Sequence, residues 1–252
     1  MIKLKEVVGD KMRQKRAFVT IFLFILIAVA SSFYIYEVNY VSKDWSSIDL
    51  NKAKNLMIVA HPDDETLWGG AHLLEDDYLV VCITCGNNKT RSKEFKKVME
   101  KTEDQYIMLG YPDKVLGIRS NWKHEEESIY GDLKKIILMK NWDLIVTHNE
   151  KGEYGHIHHI LSHNIVSNIY NELNITNPLF FFGKYYTKKA IAVMEVLPSE
   201  IDNDLYDIKV NELIEIYKSQ DFIKEKFNQM FRYEDWELYE NEIAKGYYEE
   251  EC

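Results

Sequence analysis

The stretch Leu56-Met57-Ile58-Val59-Ala60-His61-Pro62-Asp63-Asp64-Glu65 decides the fold class of this chain. Five consecutive apolar residues run directly into a cluster of ionisable side chains. A short, continuous apolar run that ends at a turn is typical of a strand buried on both faces of a parallel sheet. The ionisable cluster then lies at the carboxyl end of that strand, where open α/β sheets bind their ligands.

The rest of the chain alternates between short β-rich runs and longer helical segments. Strands are predicted at residues 56–60, 78–84, 144–148, 179–182 and 191–195. Helices are predicted at residues 65–75, 92–109, 125–139 and 157–173, and one or two amphipathic helices follow Asp204. Strands that alternate with helices of this length form right-handed βαβ units. We therefore predict an α/β fold with a mainly parallel sheet and flanking helices.

Residues 17–36 contain no charged side chain, and they follow a basic segment. Residues 1–16 contain six Lys or Arg and two acidic residues, so their net charge is +4. A helix of about 20 apolar residues is long enough to cross a bilayer. The positive-inside bias then places the N-terminus in the cytoplasm and the rest of the chain on the extracytoplasmic side. We predict a basic cytoplasmic arm (1–16), a transmembrane signal anchor (17–36), a connector (37–54) and one folded domain (55–252).

A cleaved secretory signal is the alternative to this anchor. Ala28-Val29-Ala30 has the small-residue pattern of a cleavage site, and cleavage after Ala30 would release the domain as a secreted protein. The apolar stretch nevertheless continues through Phe33-Tyr34-Ile35-Tyr36, whose aromatic rings suit a membrane interface. We therefore favour a retained anchor.

The composition and the net charge exclude several classes of protein. Apolar residues make up 46% of the chain and charged residues 29%, with only 11 Gly and 4 Pro, which excludes disordered and collagen-like chains. Three Cys cannot supply a disulfide framework. The net charge of −10 repels phosphate backbones, so we expect no nucleic-acid partner. The sequence leaves the oligomeric state open.

The cluster after the first strand contains His61, Asp63, Asp64 and Glu65. A His and one carboxylate of such a cluster can bind a metal ion together, while a second carboxylate stays free to act as a base. The alternative is that Asp63 or Asp64 caps the helix that begins at Glu65. Capping explains one Asp, but it does not explain the whole cluster.

A second cluster follows the strand predicted at residues 144–148. Five of the eight His lie between positions 148 and 163, with Glu150 and Glu153 among them. Two His and one carboxylate around an open position form catalytic zinc and non-haem iron sites. We expect His156 and His159 to belong to such a catalytic metal site. For His148 and His163 we favour structural roles.

The two clusters together resemble the PIG-L/LmbE family of metal-dependent N-deacetylases. The resemblance lies in Leu56 to Glu65 and in Glu153-Tyr154-Gly155-His156-Ile157-His158-His159, and it covers residues 55–197, with the segment 217–220 as a further match. It implies a Rossmann-like fold and the removal of acetyl groups from N-acetylglucosamine-type sugars. The implied partner is therefore an N-acetylated amino sugar in a glycan, glycolipid or glycoconjugate.

The resemblance also implies a role for each matching residue. The metal ligands would be His61, Asp64 and His159, holding Zn²⁺, with Fe²⁺ as the alternative. Asp63 would be the general base that takes a proton from the attacking water. This water becomes acidic when it is bound to the metal.

The remaining implied residues act on the substrate. Tyr154 and His156 match positions that stabilise the tetrahedral oxyanion and assist the departure of the amine. Arg91 matches a substrate-contacting Arg, and a solvated surface side chain is the alternative reading for it.

The second motif departs from the family pattern, which usually reads His-Pro-Asp-His. Here Ile157 and His158 occupy the two middle positions. The missing Asp is a candidate partner for orienting the catalytic His, and His158 can compete with His159 as a ligand. Two other functions therefore stay open: a metal hydrolase of another amide or ester, and a catalytically impaired surface protein that binds glycans.

Overall fold

The computed structural model describes residues 2–39 and 45–240, and it gives no side-chain description for residues 2–11 and 33–39. The chain divides into two compact units, Met1–Tyr40 and Val41–Cys252. Residues 40–44 of the predicted connector, the aromatic side chains of residues 33–36 and residues 241–252 of the predicted domain lie outside the described part.

The first unit contains a single long helix, α1 (Ile2–Asn39). Its segment Met12–Ser32, 21 residues long, is long and apolar enough to cross a membrane, and none of it is buried. A signal sequence near an N-terminus has the same length and composition.

The second unit is built on a six-stranded sheet with the order β3-β2-β1-β6-β7-β8. All neighbouring strands run parallel except β8, which is antiparallel to β7. This confirms the predicted α/β class with a mainly parallel sheet. The strands are β1 (Asn55–Val59), β2 (Tyr78–Thr84), β3 (Gln105–Tyr111), β4 (Lys114–Val115), β5 (Ile118–Arg119), β6 (Ile145–Thr147), β7 (Leu179–Phe182) and β8 (Trp236–Leu238), where β4 and β5 form a separate hairpin.

Helices cover both faces of the sheet. The helices are α2 (Asp64–Glu75), α3 (Lys89–Thr102), α4 (Glu126–Ile137), α5 (Gly152–Gly155), α6 (Ile157–Glu172), α7 (Lys188–Ile191), α8 (Asn203–Ile208) and α9 (Phe222–Phe227). Alternate residues of β1 enter opposite cores: Ile58 packs with residues of α4 and α6, whereas Met57 packs with residues of α2 and α3. This explains why β1 is apolar at every position, because each side chain of a central strand meets a helix layer.

Two predicted elements are wrong. The single helix predicted at 92–109 ends at Thr102, because Glu103 adopts a left-handed conformation (φ 64°) and β3 begins two residues later. The strand predicted at 191–195 is absent: α7 ends at Ile191, and the side chain of Val193 is 80% exposed. A short apolar run fits both a strand and a helix, because it is too short for its periodicity to distinguish them. In the part of the chain that the structure describes, no strand pairs with residues 191–195.

The segment after Asp204 is helical, as predicted, but it is broken into short pieces. Between α8 and α9 the chain makes short 3₁₀ and π turns from Lys209 to Gln220. Leu213, Ile214 and Tyr217 from these turns are fully buried against the sheet. The segment therefore belongs to the same core as α2 and α3.

The strand order places one topological switch beside β1. The chain runs outward through β2 and β3, and then α4 carries it across to β6 on the other side of β1. The loops that follow β1 and β6 therefore leave the sheet next to each other at its carboxyl edge. The two ionisable clusters of the sequence lie on these two loops.

The buried carboxylate of Glu234 holds a kink in α2. Gly69 interrupts the helix (φ −151°, ψ 17°), and Glu234 accepts hydrogen bonds from the N–H groups of Ala71 (2.9 Å) and His72 (3.3 Å). In a regular helix the N–H of Ala71 would donate to the carbonyl oxygen of Leu67. This oxygen instead accepts from Lys209 Nζ at 3.0 Å. Lys209 and Glu234 are both fully buried and 2.5 Å apart.

We expect Glu234→Gln to lower the free energy of unfolding by about 3–5 kcal/mol, because Lys209 keeps a buried charge without its counterion. Urea denaturation followed by circular dichroism measures this loss. The matched control is Glu237→Gln, whose partner Lys184 is 56% exposed and which is itself 53% exposed. An exposed pair of this kind contributes about 0–1 kcal/mol. Equal losses in the two variants would contradict a dominant role for the buried pair.

Acid should remove the contribution of Glu234. Burial alone would raise its pKa, but Lys209 and His72 lower it to about 2, against an ordinary value of 4.5. A lowered pKa stabilises the fold fully above the unfolded value, and this stabilisation is lost as the pH falls through the folded value. The difference in unfolding free energy between the parent chain and Glu234→Gln should therefore shrink between about pH 5 and pH 2. A difference that stays constant over this range would refute the assignment.

Candidate functional site

The turn after β1 folds around the carboxylate of Asp64. The backbone N–H of His61 donates to Asp64 Oδ2 at 2.8 Å, and the ring atom Nδ1 of His61 lies 3.1 Å from the same oxygen. Asp63 occupies the position before α2, yet its side chain makes no capping hydrogen bond and its φ is +117°. Helix capping therefore does not explain Asp63, and its rare backbone conformation marks a position held by its surroundings.

The loop after β6 presents His159 to the same carboxylate. The backbone N–H of Ala60 donates to His148 Nε2 at 2.9 Å, so the proton of His148 lies on Nδ1, where Glu153 Oε2 accepts it at 3.1 Å. The same oxygen of Glu153 also accepts from Nδ1 of His159. When the ring of His159 is neutral, its other nitrogen, Nε2, therefore carries a lone pair, and it lies 3.2 Å from Asp64 Oδ1.

These three side chains form a donor set that suits a metal cation. One atom each of His61, Asp64 and His159 lies within 4.8 Å of the others, and all three residues are buried. His159 Nε2 has no hydrogen-bond partner among the residues that the structure describes. Burial alone would lower the pKa of His159, but Asp64 and Glu153 raise it to about 10, so the surroundings favour positive charge at this point. Two imidazoles and one carboxylate are typical ligands of Zn²⁺.

Two further groups of potential ligands overlap this set. In the group of His148, Glu153 and His159, the hydrogen bonds between the members already occupy the facing atoms. In the group of His61, His156 and His158, the guanidinium of Arg119 contacts His156 Nε2 and opposes a second cation. Within residues 45–240, the first set is thus the one best suited to a cation.

The structure places the adjacent residues His158 and His159 against different partners. His159 faces Asp64, whereas Nδ1 of His158 faces His61 Nε2 at 2.9 Å. His158 is therefore not positioned to replace His159 next to Asp64. His163 lies further along α6, where its Nδ1 is hydrogen-bonded to the carbonyl oxygen of His148 at 3.0 Å.

Asp63 and Arg91 lie beside this donor set. Burial and the neighbouring Asp64 raise the pKa of Asp63 well above its ordinary value, and Arg91 opposes this rise. Arg91 Nη2 lies 3.7 Å from Asp63 Oδ1 and donates to the carbonyl oxygen of Pro62 at 2.8 Å. Only 13% of the Arg91 side chain is exposed, so Arg91 is not a solvated surface side chain.

Tyr154 and His156 complete the group of residues that the sequence singled out. The Tyr154 ring packs edge-on against His159, 5.5 Å between centroids. Burial and the charges of Asp64 and Asp63 raise the pKa of Tyr154, so its hydroxyl stays a donor. His156 caps α6, because its Nδ1 accepts from the N–H of His158 at 3.2 Å. Burial and the nearby His159 lower the pKa of His156 to about 2, which keeps this ring neutral.

Comparison with known proteins identifies the family of this chain. The family model described as PIG-L, GlcNAc-PI de-N-acetylase, matches residues 56–170. The uncharacterized protein L374 of Acanthamoeba polyphaga mimivirus is 31% identical over 192 residues, which cover 69% of this chain and 75% of that protein. This chain belongs to the PIG-L family.

Other relatives of this PIG-L chain are more distant. A 1D-myo-inositol 2-acetamido-2-deoxy-alpha-D-glucopyranoside deacetylase of Corynebacterium diphtheriae is 24% identical over 189 residues, which cover 60% of this chain and 64% of that protein. The N,N'-diacetylchitobiose deacetylase of Pyrococcus horikoshii shares the fold, with a TM-score of 0.54 at 18% identity, over 83% of this chain and 92% of that one.

Sequence reasoning missed Asp113 as a residue of this PIG-L site. Asp113 Oδ1 lies 3.6 Å from His61 Nε2 and 3.2 Å from Nη1 of Arg119. Burial would raise its pKa, but His61, Arg119 and Arg91 lower it strongly. Asp113 follows β3, and residues 105–109 of this strand were predicted as the end of the helix at 92–109. The signal was present, because Pro112-Asp113 ends an apolar run just as Pro62-Asp63 does.

Glu65 was noticed only as part of the first cluster, and its partner was missed. Its carboxylate accepts hydrogen bonds from the Tyr217 hydroxyl and, at 2.7 Å, from Thr66 Oγ1. Glu65 Oε2 also accepts from the N–H of Asp63 at 3.1 Å. The turn that carries Asp63 is therefore fixed from the C-terminal segment.

We expect the zinc-loaded chain to hold one Zn²⁺, and Asp64→Asn to lose it on dialysis, because the only carboxylate of the donor set is then neutral. Glu153→Gln should weaken binding about 10–100-fold, since an outer partner orients the ligand His159. Competition with a chromophoric chelator measures both effects on the full chain in detergent. The control His163→Gln alters a nearby His outside the set, and it should bind as the parent does. Unchanged binding in Asp64→Asn would contradict this donor set.

Proposed function

We propose that this chain is a metal-dependent N-deacetylase that hydrolyses the N-acetyl amide of an N-acetylglucosamine-type sugar in a glycan, glycolipid or glycoconjugate. One observation carries the proposal: Asp63, a buried carboxylate with a raised pKa, stands beside a buried donor set to which it does not belong. A free base next to a metal site has a use in hydrolysis, and it has none in simple sugar binding.

His61, Asp64 and His159 are the proposed ligands of Zn²⁺, with Fe²⁺ as the alternative. When bound, the metal polarises the amide carbonyl and makes a water molecule acidic near neutral pH. The three side chains supply one negative charge and two neutral nitrogens, so a divalent cation keeps a net positive charge in the site. A buried position strengthens this charge, because little solvent screens it.

Asp63 is the proposed general base. It takes a proton from the attacking water and can later return it to the departing amine nitrogen. Its raised pKa suits both steps, because a base with a pKa closer to the working pH also serves as an acid. Arg91 holds the turn of Asp63 through the carbonyl of Pro62, and we propose that its guanidinium also contacts the substrate.

Tyr154 and His156 are the proposed partners of the oxyanion and of the leaving amine. The hydroxyl of Tyr154 remains protonated, so it can donate to an oxygen that gains negative charge. A donor of this kind contributes about 2.7–4 kcal/mol to transition-state binding. His156 lies on the same loop, with its ring centroid 4.5 Å from that of His159.

The substrate class rests on family membership and on the names of two relatives. The family description names a GlcNAc-PI de-N-acetylase, and the Corynebacterium and Pyrococcus proteins are named as deacetylases of acetamido sugars. The apolar helix supports a further proposal, a single-pass anchor with the N-terminus in the cytoplasm and the catalytic domain on the extracytoplasmic side. Secretion after cleavage at Ala30 is the alternative.

The decisive experiment measures amine release from a panel of N-acetylglucosaminyl compounds by the zinc-loaded full chain in detergent. Asp63→Asn should lower kcat about 10²–10⁴-fold, the usual contribution of a general base, while it retains its metal. The control Asp76→Asn changes an exposed Asp beyond the far end of α2 and should be as active as the parent.

Either of two results would overturn this proposal. The first is a parent chain that binds one metal ion but releases no amine from any compound, which would favour another amide or glycan binding without turnover. The second is full activity in Asp63→Asn, which would remove the general base.

A further inference from the structure

The imidazole of His158 is fixed in orientation by two contacts. Its face stacks on the indole of Trp122, with centroids 4.2 Å apart and an interplanar angle of 4°. Its Nε2 lies 2.7 Å from the carbonyl oxygen of Ser120. Trp122 is itself anchored, because its Nε1–H donates to the carbonyl oxygen of Pro112 at 2.9 Å. The ring of His158 is fully buried, so these contacts are not shared with solvent.

These contacts determine which nitrogen of His158 carries the proton. A carbonyl oxygen can only accept, so Nε2 of His158 must be the donor to Ser120. A fully buried imidazole without a carboxylate in hydrogen-bond contact stays neutral, so Nδ1 carries a lone pair. This lone pair faces His61 Nε2 at 2.9 Å. His61 Nε2 must therefore be protonated and donate to His158.

The proton on His61 Nε2 has a consequence for the other nitrogen of that ring. A neutral His61 then has a lone pair on Nδ1, which lies 3.1 Å from Asp64 Oδ2. On the other side of the same carboxylate, Nε2 of His159 lies 3.2 Å from Oδ1, and it too carries a lone pair when its ring is neutral. Acceptors that face each other at such distances need a proton or a metal cation between them, and one divalent metal ion serves both contacts at once.

We infer that His158 is a positioning residue for the metal ligand His61. It accepts the Nε2–H of His61, selects Nδ1 as the ligand atom and holds the ring plane toward Asp64. The inference rests on the proposed function, because that function requires a metal at His61, Asp64 and His159. In this chain a neutral imidazole performs the task at a position where the family motif usually has an Asp.

Asp113 is a second acceptor near Nε2 of His61, and it fits this role less well. Its Oδ1 lies 3.6 Å from His61 Nε2, beyond hydrogen-bond distance, and 3.2 Å from Nη1 of Arg119. His158 is closer, and the stack on Trp122 orients its lone pair toward His61. The acceptor of His61 is therefore His158.

Two variants of His158 separate hydrogen bonding from ring packing. His158→Phe keeps a flat ring on Trp122 but removes both nitrogens, and we expect zinc affinity to fall about 10–100-fold. His158→Asn places its Oδ1 near the position of Nδ1, and this acceptor should restore most of the affinity. The control His124→Phe makes the same change at an exposed His outside the site and should not alter binding.

The readouts are the zinc dissociation constant of the full chain in detergent and the visible absorption spectrum of the Co²⁺ form. The spectrum reports ligand geometry, so His158→Phe should alter it and His158→Asn should leave it close to that of the parent. Parental affinity in His158→Phe would overturn the inference. Equal loss in both variants would also overturn it, since ring packing would then be the role of His158.

A measurement on the parent chain tests the same point if His158→Phe does not fold. With ¹⁵N-labelled His, the zinc-loaded parent should show His158 protonated on Nε2 alone, and His61 protonated on Nε2 with its Nδ1 signal shifted by the metal. A proton on His158 Nδ1, or a metal shift there, would overturn the inference. A parent that binds no zinc and releases no amine would instead overturn the proposed function, and the inference with it.

Discussion

The carboxylate of Asp64, which faces two buried imidazoles, is the interaction on which the functional part of this structure depends. Its two oxygens lie 3.1 Å from His61 Nδ1 and 3.2 Å from His159 Nε2. A buried carboxylate without compensation is costly, and so is a buried lone pair that has no donor. A cation in this position interacts favourably with the carboxylate and with both imidazole nitrogens, so a single bound ion offsets the free-energy cost of burying all three. Much of the surrounding loop structure serves to keep these atoms in place.

Each of the two imidazoles is oriented by the partner of its outer nitrogen, which is the ring nitrogen that faces away from Asp64. Glu153 accepts a hydrogen bond from Nδ1 of His159 and another from Nδ1 of His148. The proton of His148 lies on Nδ1 because its Nε2 accepts from the backbone N–H of Ala60. On the other side, His158 faces the outer nitrogen of His61. Outer partners of this kind fix which nitrogen meets the metal and how the ring is turned.

Buried polar side chains also stabilise the helix that begins at Asp64, because they satisfy its free backbone groups. Gly69 breaks the hydrogen-bond pattern of α2, and the freed groups are satisfied by Glu234, Lys209 and, through the carbonyl of Trp68, by the indole of Trp236 at 2.9 Å. These partners come from the C-terminal segment, more than 130 positions away in the chain. That segment also supplies Tyr217 to Glu65, so it supports both the helix and the turn before it.

The sequence by itself determined the α/β class, the strand that precedes His61 and the two ionisable clusters, because each leaves a local pattern. A continuous apolar run that ends at His61-Pro62-Asp63 is readable from neighbouring positions alone, and so is the concentration of His between 148 and 163. The motif around His61 and His159 was also enough to indicate the PIG-L family, which the comparisons confirm.

Only the tertiary structure decided which atoms meet. It showed that residues 105–111 form a strand, and this brought Asp113 to the site. It also distinguished the adjacent His158 and His159, one facing His61 and the other facing Asp64. The physical reason is that proton positions and ring orientations depend on partners far away in the chain, such as Ser120 and Glu153, and no local pattern records them.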